Sequence, residues 1–144
     1  MVQKINIDGL ISEIGRCCLQ ETSCKQCKQE RCLIGYCKKS LLAVLKNQNE
    51  FIDKGVEAIP YSDTKIYEPD SLIHAIGFLL NQCRNCNVYH DEECVINVIR
   101  SCLEVSLLGE HQDYRGSTLM YLGDIKAVNP EIANKILFAF QQTK

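Results

Sequence analysis

The segment DSLIHAIG at residues 70–77 repeats the pattern of DGLISEIG at residues 8–15. Each places apolar residues at helical spacing behind an aspartate, whose carboxylate can accept hydrogen bonds from the first turn of a helix. We therefore expect each segment to open a helix, with Asp8 and Asp70 as the N-cap residues. Two helices rich in Leu and Ile can resemble each other by chance, so the remaining residues decide whether the chain is duplicated.

The cysteines extend the match between the two halves of the chain. Most matched positions share an offset of 62. A three-residue gap before the second Cys-x-x-Cys pair interrupts this offset, and a three-residue insertion after the pair restores it. The twelve matched positions are Asp8/Asp70, Leu10/Leu72, Ile11/Ile73, Ile14/Ile76, Gly15/Gly77, Cys24/Cys83, Cys27/Cys86, Glu30/Glu92, Cys32/Cys94, Ile34/Ile96, Leu41/Leu103 and Leu45/Leu107. A fainter echo at an offset of 61 follows in Gly55/Gly116, Asp63/Asp124, Lys65/Lys126 and Pro69/Pro130. This pattern predicts a tandem duplication with units at about residues 8–69 and 70–130.

Each unit is predicted to contain a helix, a loop with the Cys-x-x-Cys pair, a second helix and then a shorter helix and a turn. Apolar residues at helical spacing predict the second helices at residues 30–47 and 91–108. Residues 61–67 and 122–130 are expected to be connectors. Because no segment shows the alternation of a half-buried strand, the predicted fold is all-α.

The last part of the chain predicts one further helix. Residues 131–144 carry an apolar stripe at helical spacing, and we expect this helix to cap the apolar face of the second unit, as terminal elements do in repeat proteins. The prediction is a single domain over residues 1–144, either a compact helical bundle or a short helical-repeat array.

Composition excludes several classes of function. The chain is 46% hydrophobic and 24% charged, which is typical of a globular domain. Its net charge of −2 lacks the basic field that would hold nucleic acid. No apolar run approaches the roughly 20 residues of a membrane span, and the first residues lack the apolar core of a signal peptide. We therefore expect a cytoplasmic protein without nucleic-acid or membrane partners, in which thiols stay reduced.

The spacing of the ten cysteines predicts metal binding. Thiolates bind zinc, iron–sulfur clusters and Cu(I), and a Cys-x-x-Cys step can place two sulfurs around one ion. The candidate ligands that both units support are Cys24, Cys27, Cys32, Cys83, Cys86 and Cys94. The supplementary candidates are Cys37, Cys17 and Cys18 in the first unit and His90 in the second. Spacing alone does not identify the metal.

Some supplementary candidates have an alternative interpretation as packing residues. Cys37 aligns with Ile99, a core-type position, and Cys17 and Cys18 align with Leu79 and Leu80. On a continuous helix Cys32 and Cys37 would point about 140° apart, so one ion could hold both only if the helix begins after Cys32. Free cysteine is often buried as a small apolar residue. His90 is either a ligand or an exposed loop residue, and His74 and His111 are expected to be surface residues.

Three site arrangements fit this pattern. Each unit can hold its own site, which we favour, or the two Cys-x-x-Cys pairs can face each other and close one shared site. The third arrangement is a [4Fe–4S] cluster with three cysteines and an open or non-cysteine fourth position. We favour iron–sulfur over zinc because three cysteines repeat beside predicted helical walls.

The sequence thus predicts a metalloprotein that carries, stores or senses its metal or cluster. The leading alternative is a helical-repeat adaptor that binds a partner protein and uses zinc as a structural element. A redox enzyme that uses thiols or a cluster is the third hypothesis. A thioredoxin-like dithiol is disfavoured because no βαβ pattern accompanies the Cys-x-x-Cys pairs. No nucleophile, base and oxyanion hole can be assembled from the motifs present, so catalysis is not expected.

Overall fold

A computed structural model describes residues 5–18, 31–49, 51–63, 67–82, 94–112 and 118–143. Its six helices are α1 (Ile7–Cys17), α2 (Leu33–Asn47), α3 (Pro69–Gln82), α4 (Val95–Leu108), α5 (Thr118–Val128) and α6 (Pro130–Gln142). The described ranges contain no strand, only an isolated antiparallel bridge between Phe51 and Cys94. The prediction of an all-α fold is therefore confirmed. No helix in these ranges has the length and apolar character needed to cross a membrane.

The first turns of α1 and α3 differ from the prediction. The N-cap of α1 is Asn6, whose side-chain oxygen accepts a hydrogen bond of 2.9 Å from the backbone N–H of Gly9. Asp8 and Asp70 both lie inside the first turn of their helices, so their prediction as N-cap residues is wrong. A carboxylate there is still favourable because it faces the positive end of the helix dipole.

The second helices of the two units begin and end in equivalent ways. Both start later than predicted, and the residues before their first turns are Cys32 and Cys94. Both end on a residue in the left-handed conformation, Gln48 with φ 54° and Gly109 with φ 88°. These equivalences agree with a duplicated unit, which remains a prediction.

Helix α1 packs antiparallel against its counterpart α3. The backbone N–H of Asn6, before α1, donates to the side chain of Gln82 at the end of α3 over 2.9 Å. Further along α1, Oε2 of Glu13 lies 2.7 Å from Nδ1 of His74. Contacts that advance along one helix and retreat along the other define opposite directions.

Helix α2 also packs antiparallel against its counterpart, α4. Phe51, just beyond the end of α2, forms its bridge with Cys94 at the start of α4. At the other end, the carbonyl of Leu33 accepts a hydrogen bond of 3.1 Å from the thiol of Cys102. Because α1 also packs on α2 and α3 on α4, the four helices form a bundle with the arrangement that a two-fold relation between the units would produce.

Helix α4 is the most extensively buried of the described helices. Its residues 95–104 are all buried, including the charged pair Arg100 and Glu104. Nη1 of Arg100 donates to both carboxylate oxygens of Glu104, at 3.1 and 3.0 Å, and the guanidinium lies 5.4 Å from the centre of the Tyr121 ring on α5. A buried ion pair of this kind costs desolvation energy unless its remaining hydrogen bonds are made. Arg100 also donates to the carbonyl of Gln112, over 2.9 Å.

The final helix, α6, packs on α3 as well as on α5. A Cβ at Gly77 would lie 2.6 Å from Cβ of Ala139 and 2.7 Å from the backbone N of Phe140, so only glycine allows this close approach. Asn81, one turn later on α3, donates to Thr143 Oγ1 over 2.8 Å. Helices α3 and α6 therefore run in the same direction, whereas α1 and α3 are antiparallel. The molecule is a compact bundle, and α6 does not occupy the place that a regular array would give to a third copy.

The trailing parts of the two units differ in structure. Most of residues 122–130 belong to α5 and α6, so their prediction as a connector is wrong; Tyr121 and Ile125 anchor α5 in the core. In the first unit, the predicted short helix is not found among residues 51–63, where turns predominate. Gly55 and Pro60 disfavour a helix there. Gly55 instead approaches α4, since a Cβ at this position would lie 2.6 Å from Cγ2 of Val98.

Candidate functional site

Two of the six principal candidate ligands, Cys32 and Cys94, lie within the described residues. The candidates outside the described residues are Cys24, Cys27, Cys83, Cys86 and His90. The supplementary candidates Cys17, Cys18 and Cys37 are described. The structure therefore places one principal ligand of each unit, at the end of each Cys-x-x-Cys segment.

Cys32 and Cys94 occupy the same local position, directly before the first residue of a helix. Both are half-buried, both have ψ values typical of extended backbone (137° and 135°), and neither side chain caps its own helix by a hydrogen bond. The N-terminus of a helix carries partial positive charge, which stabilises negative charge nearby. A bound metal site whose ligands carry net negative charge would be favoured at this position.

The antiparallel packing of α2 and α4 separates these two cysteines. Cys32 directly precedes Leu33, whose carbonyl accepts a hydrogen bond from the thiol of Cys102. Cys102 lies eight residues after Cys94, which is about 12 Å along α4. Since a zinc–sulfur bond is about 2.3 Å long, one ion cannot bind both sulfurs.

The residues that precede the two Cys-x-x-Cys segments lie at opposite ends of the α1–α3 helix pair. The first segment follows Cys18 at the end of α1, and the second follows Gln82 at the end of α3. Because α1 and α3 are antiparallel, these helix ends point in opposite directions. The arrangement favours one site in each unit over one shared site, although the Cys-x-x-Cys pairs themselves lie outside the described residues.

Cys32 has a hydroxyl neighbour from the connector that precedes α3. Its sulfur lies 2.9 Å from Oη of Tyr67, which is itself 3% exposed. The Tyr67 hydroxyl donates to Oδ2 of Asp63 over 2.5 Å, and the same oxygen accepts a hydrogen bond of 2.8 Å from the backbone N–H of Leu33. Burial and the neighbouring Asp63 and Cys32 side chains raise the pKa of Tyr67 above its ordinary value, so the hydroxyl keeps its proton.

Cys37 lies in the core, facing Cys102 across the contact between α2 and α4. Both side chains are fully buried. The neighbouring Cys102 thiol and burial raise the pKa of Cys37 well above its ordinary value, which disfavours the thiolate that a metal requires. Although α2 does begin after Cys32, the position of Cys37 supports its interpretation as a packing residue, as its alignment with the fully buried Ile99 indicates.

Cys17 and Cys18 at the end of α1 differ in their surroundings. Cys17 is buried, and its thiol donates to the carbonyl of Glu13 over 3.7 Å. Burial, followed by the nearby Cys37, raises the pKa of Cys17 from 9.0 to about 12. Cys18 is half-buried and directly precedes residues 19–30. Of the two, Cys18 is the better placed to complete a site in the first unit.

Sequence reasoning missed a polar contact between α1 and α3. His74 is not an isolated surface residue, because its Nδ1 lies 2.7 Å from Oε2 of Glu13, and Arg16 binds the other carboxylate oxygen of Glu13 over 3.1 Å. Glu13 is buried by this contact. Only the antiparallel pairing of the two helices, which no local pattern reveals, could have predicted it. His111 is exposed, as expected.

Within the described ranges, no group of three or more Cys, His, Asp or Glu side chains is arranged to hold a metal ion. A complete ligand set would therefore have to include cysteines from residues 19–30 and 83–93. No protein-family model matches the chain, and no significant match is found among curated proteins or solved structures.

Proposed function

We propose that this protein binds a metal or an iron–sulfur cluster at two separate cysteine sites, one in each unit, and carries, stores or senses it. One observation gives the main support. Cys32 and Cys94 stand in equivalent places before the antiparallel helices α2 and α4, and each directly follows a segment with a Cys-x-x-Cys pair.

The proposed donor sets consist mainly of thiolates. The first site would use Cys24, Cys27 and Cys32, with Cys18 as the fourth candidate; the second would use Cys83, Cys86 and Cys94, with His90 as the fourth. Donors of this type suit zinc, iron–sulfur clusters and Cu(I) and do not suit Mg²⁺ or Ca²⁺. The buried thiols Cys17, Cys37 and Cys102 are assigned to the core.

Between iron–sulfur and zinc, we favour iron–sulfur. Each unit repeats three cysteines, which leaves a fourth position for a different ligand, as in clusters that sense or react. Such sites require reduced cysteines, in keeping with a cytoplasmic location. Transfer of a metal or a signal would require a partner, which we propose to be another protein.

Metal analysis of protein purified without oxygen tests the proposal. Iron, acid-labile sulfide and zinc are measured per chain, as isolated and after anaerobic reconstitution, together with the visible absorption spectrum. Clusters predict brown protein with broad visible absorption and matching iron and sulfide. The Cys102→Ala variant is the control, since it removes a cysteine outside both proposed sites and should retain the wild-type content. Absence of stoichiometric metal before and after reconstitution would contradict the proposal.

The second candidate function is a helical adaptor with structural zinc. It is supported by apolar side chains that remain exposed, among them Leu119 (81% exposed) and Phe138 (63% exposed). Such a protein would be colourless, would contain about two zinc ions per chain and would unfold when a chelator removes them. The same metal analysis therefore separates the two candidates.

A further inference from the structure

Three groups converge at the N-terminus of α2. The Asp63 carboxylate accepts hydrogen bonds from the Leu33 N–H and from the Tyr67 hydroxyl, and the hydroxyl oxygen also lies 2.9 Å from the sulfur of Cys32. Asp63 thus satisfies the first backbone N–H of the helix, which has no partner within the helix itself. The Cys32 sulfur lies beside the oxygen of the Tyr67 hydroxyl.

We infer that Tyr67 is a positioning residue for Cys32 in the first metal site, an inference that rests on the proposed function. A metal-bound thiolate carries no proton and can only accept hydrogen bonds. The single hydroxyl proton of Tyr67 has two acceptors within reach, the Asp63 carboxylate and the Cys32 sulfur. Hydrogen-bond donors of this kind orient the ligands of a metal and adjust their basicity. Their loss typically lowers the affinity for the metal by about 10–100-fold.

The burial of Tyr67 holds its hydroxyl in place beside the Cys32 sulfur. Tyr67 is buried and lies just before Pro69, the first residue of α3. It therefore links the sulfur that precedes α2 to the start of the next unit's first helix.

The residue of the second unit that corresponds to Tyr67 cannot form this contact. At the offset of 61 that relates the trailing parts, Tyr67 corresponds to Val128, which has no hydrogen-bonding side chain and is 48% exposed. The two sites are therefore expected to differ, and loss of the Tyr67 hydroxyl should affect the first site alone.

Cobalt binding to Tyr67→Phe tests the inference, because thiolate ligation gives Co²⁺ a charge-transfer absorption that reports on the sulfur. The triple variant Cys83→Ser/Cys86→Ser/Cys94→Ser removes the second site, and Tyr67→Phe is compared in that background. We expect Co²⁺ affinity to fall by about 10–100-fold and the charge-transfer band to shift. Tyr61→Phe is the matched control, since the Tyr61 hydroxyl donates to the carbonyl of Val56 over 2.7 Å, and it should change neither quantity.

Asp63→Asn separates positioning from a general effect on folding. An amide is a weaker acceptor than a carboxylate, so the Tyr67 hydroxyl would be more available to the sulfur. We expect equal or tighter Co²⁺ binding in this variant, opposite in direction to Tyr67→Phe. Equal affinity and an unshifted band in Tyr67→Phe, or weaker binding in both variants, would overturn the inference while leaving the proposed function standing. Absence of Co²⁺ binding to the unsubstituted protein would overturn the proposed function itself.

Discussion

Cys32 and Cys94 occupy the same position before two helices, α2 and α4. Because these helices are antiparallel, the two cysteines are separated from each other. Each precedes the first turn of its helix, and Leu33, the neighbour of Cys32, contacts Cys102, which lies about 12 Å along α4 from Cys94. Two metals bound at Cys32 and at Cys94 would share no ligand. Substitutions in one unit should therefore leave the site of the other intact.

The contact between α3 and α6 predicts opposite effects for two matched glycines. Gly77→Ala would place a Cβ 2.7 Å from the backbone N of Phe140, and the helices would have to move apart, at a cost of about 1–3 kcal/mol. Gly15→Ala, at the equivalent position of α1, meets no atom within 4 Å and should stabilise the protein by up to about 1 kcal/mol. Urea unfolding of both variants measures the difference. Equal effects of the two substitutions would contradict the close approach of α3 and α6.

The ion pair in α4 predicts that a double substitution is less harmful than a single one. Arg100→Met leaves the fully buried Glu104 carboxylate without its cation and should cost about 3–5 kcal/mol. Adding Glu104→Leu removes that carboxylate and should recover at least about 1 kcal/mol of this loss. The free energies of unfolding of both variants provide the measurement. A double variant less stable than Arg100→Met would show that the unpaired Glu104 carboxylate does not cause the loss of stability in Arg100→Met.

The buried thiol of Cys17 predicts a loss of stability in alkaline solution. Its pKa is raised from 9.0 to about 12 in the folded protein, so between these values the unfolded chain binds fewer protons at this position than the native state does. Stability is then lost as pH rises, with a slope of at most about 1.4 kcal/mol per pH unit from this group. Urea unfolding under reducing conditions at several pH values should show a shallower slope for Cys17→Ala.

Val44→Ala is the control for this experiment, because it truncates another buried side chain without removing a titratable group. Its slope with pH should equal that of the wild-type protein. Identical slopes for all three proteins would argue against ionisation of Cys17 on unfolding.

The contact between Cys37 and Cys102 predicts that a buried thiol can be removed without loss of metal. Cys37→Ala leaves a small cavity between α2 and α4 and should destabilise the protein by about 1–2 kcal/mol. Its metal content should remain that of the wild type. Metal analysis and urea unfolding on the same preparation test both statements. A lower metal content in folded Cys37→Ala would contradict the packing role and indicate that Cys37 is a metal ligand.

The sequence predicted the helices better than their ends and their packing. Apolar spacing located α1 to α4 and α6, because each buries a clear stripe in the core. The starts of α2 and α4 were misplaced by a few residues, since cysteine is not a typical N-cap residue. Helix α5 was mostly taken for a connector because it buries only Tyr121 and Ile125.

The candidate site could be predicted only in part. Alignment of the two units paired Cys32 with Cys94 and assigned Cys37 to a core-type position. The structure places the first two in equivalent positions and buries Cys37, whereas metal binding stays a prediction. The contacts of Cys32 with Tyr67, and of Glu13 with His74, join residues 35 and 61 positions apart. Such contacts depend on how the helices cross, which local periodicity does not determine.

The metal content of Cys32→Ser and of Cys94→Ser, measured beside the wild type in anaerobic preparations, tests whether each unit binds its own metal. Two separate sites predict that each variant loses about half of the wild-type metal and that the double variant loses nearly all of it, with the fold retained by circular dichroism. A wild-type protein without stoichiometric metal would contradict the account. Complete loss of metal from either single variant would contradict the assignment of one site to each unit.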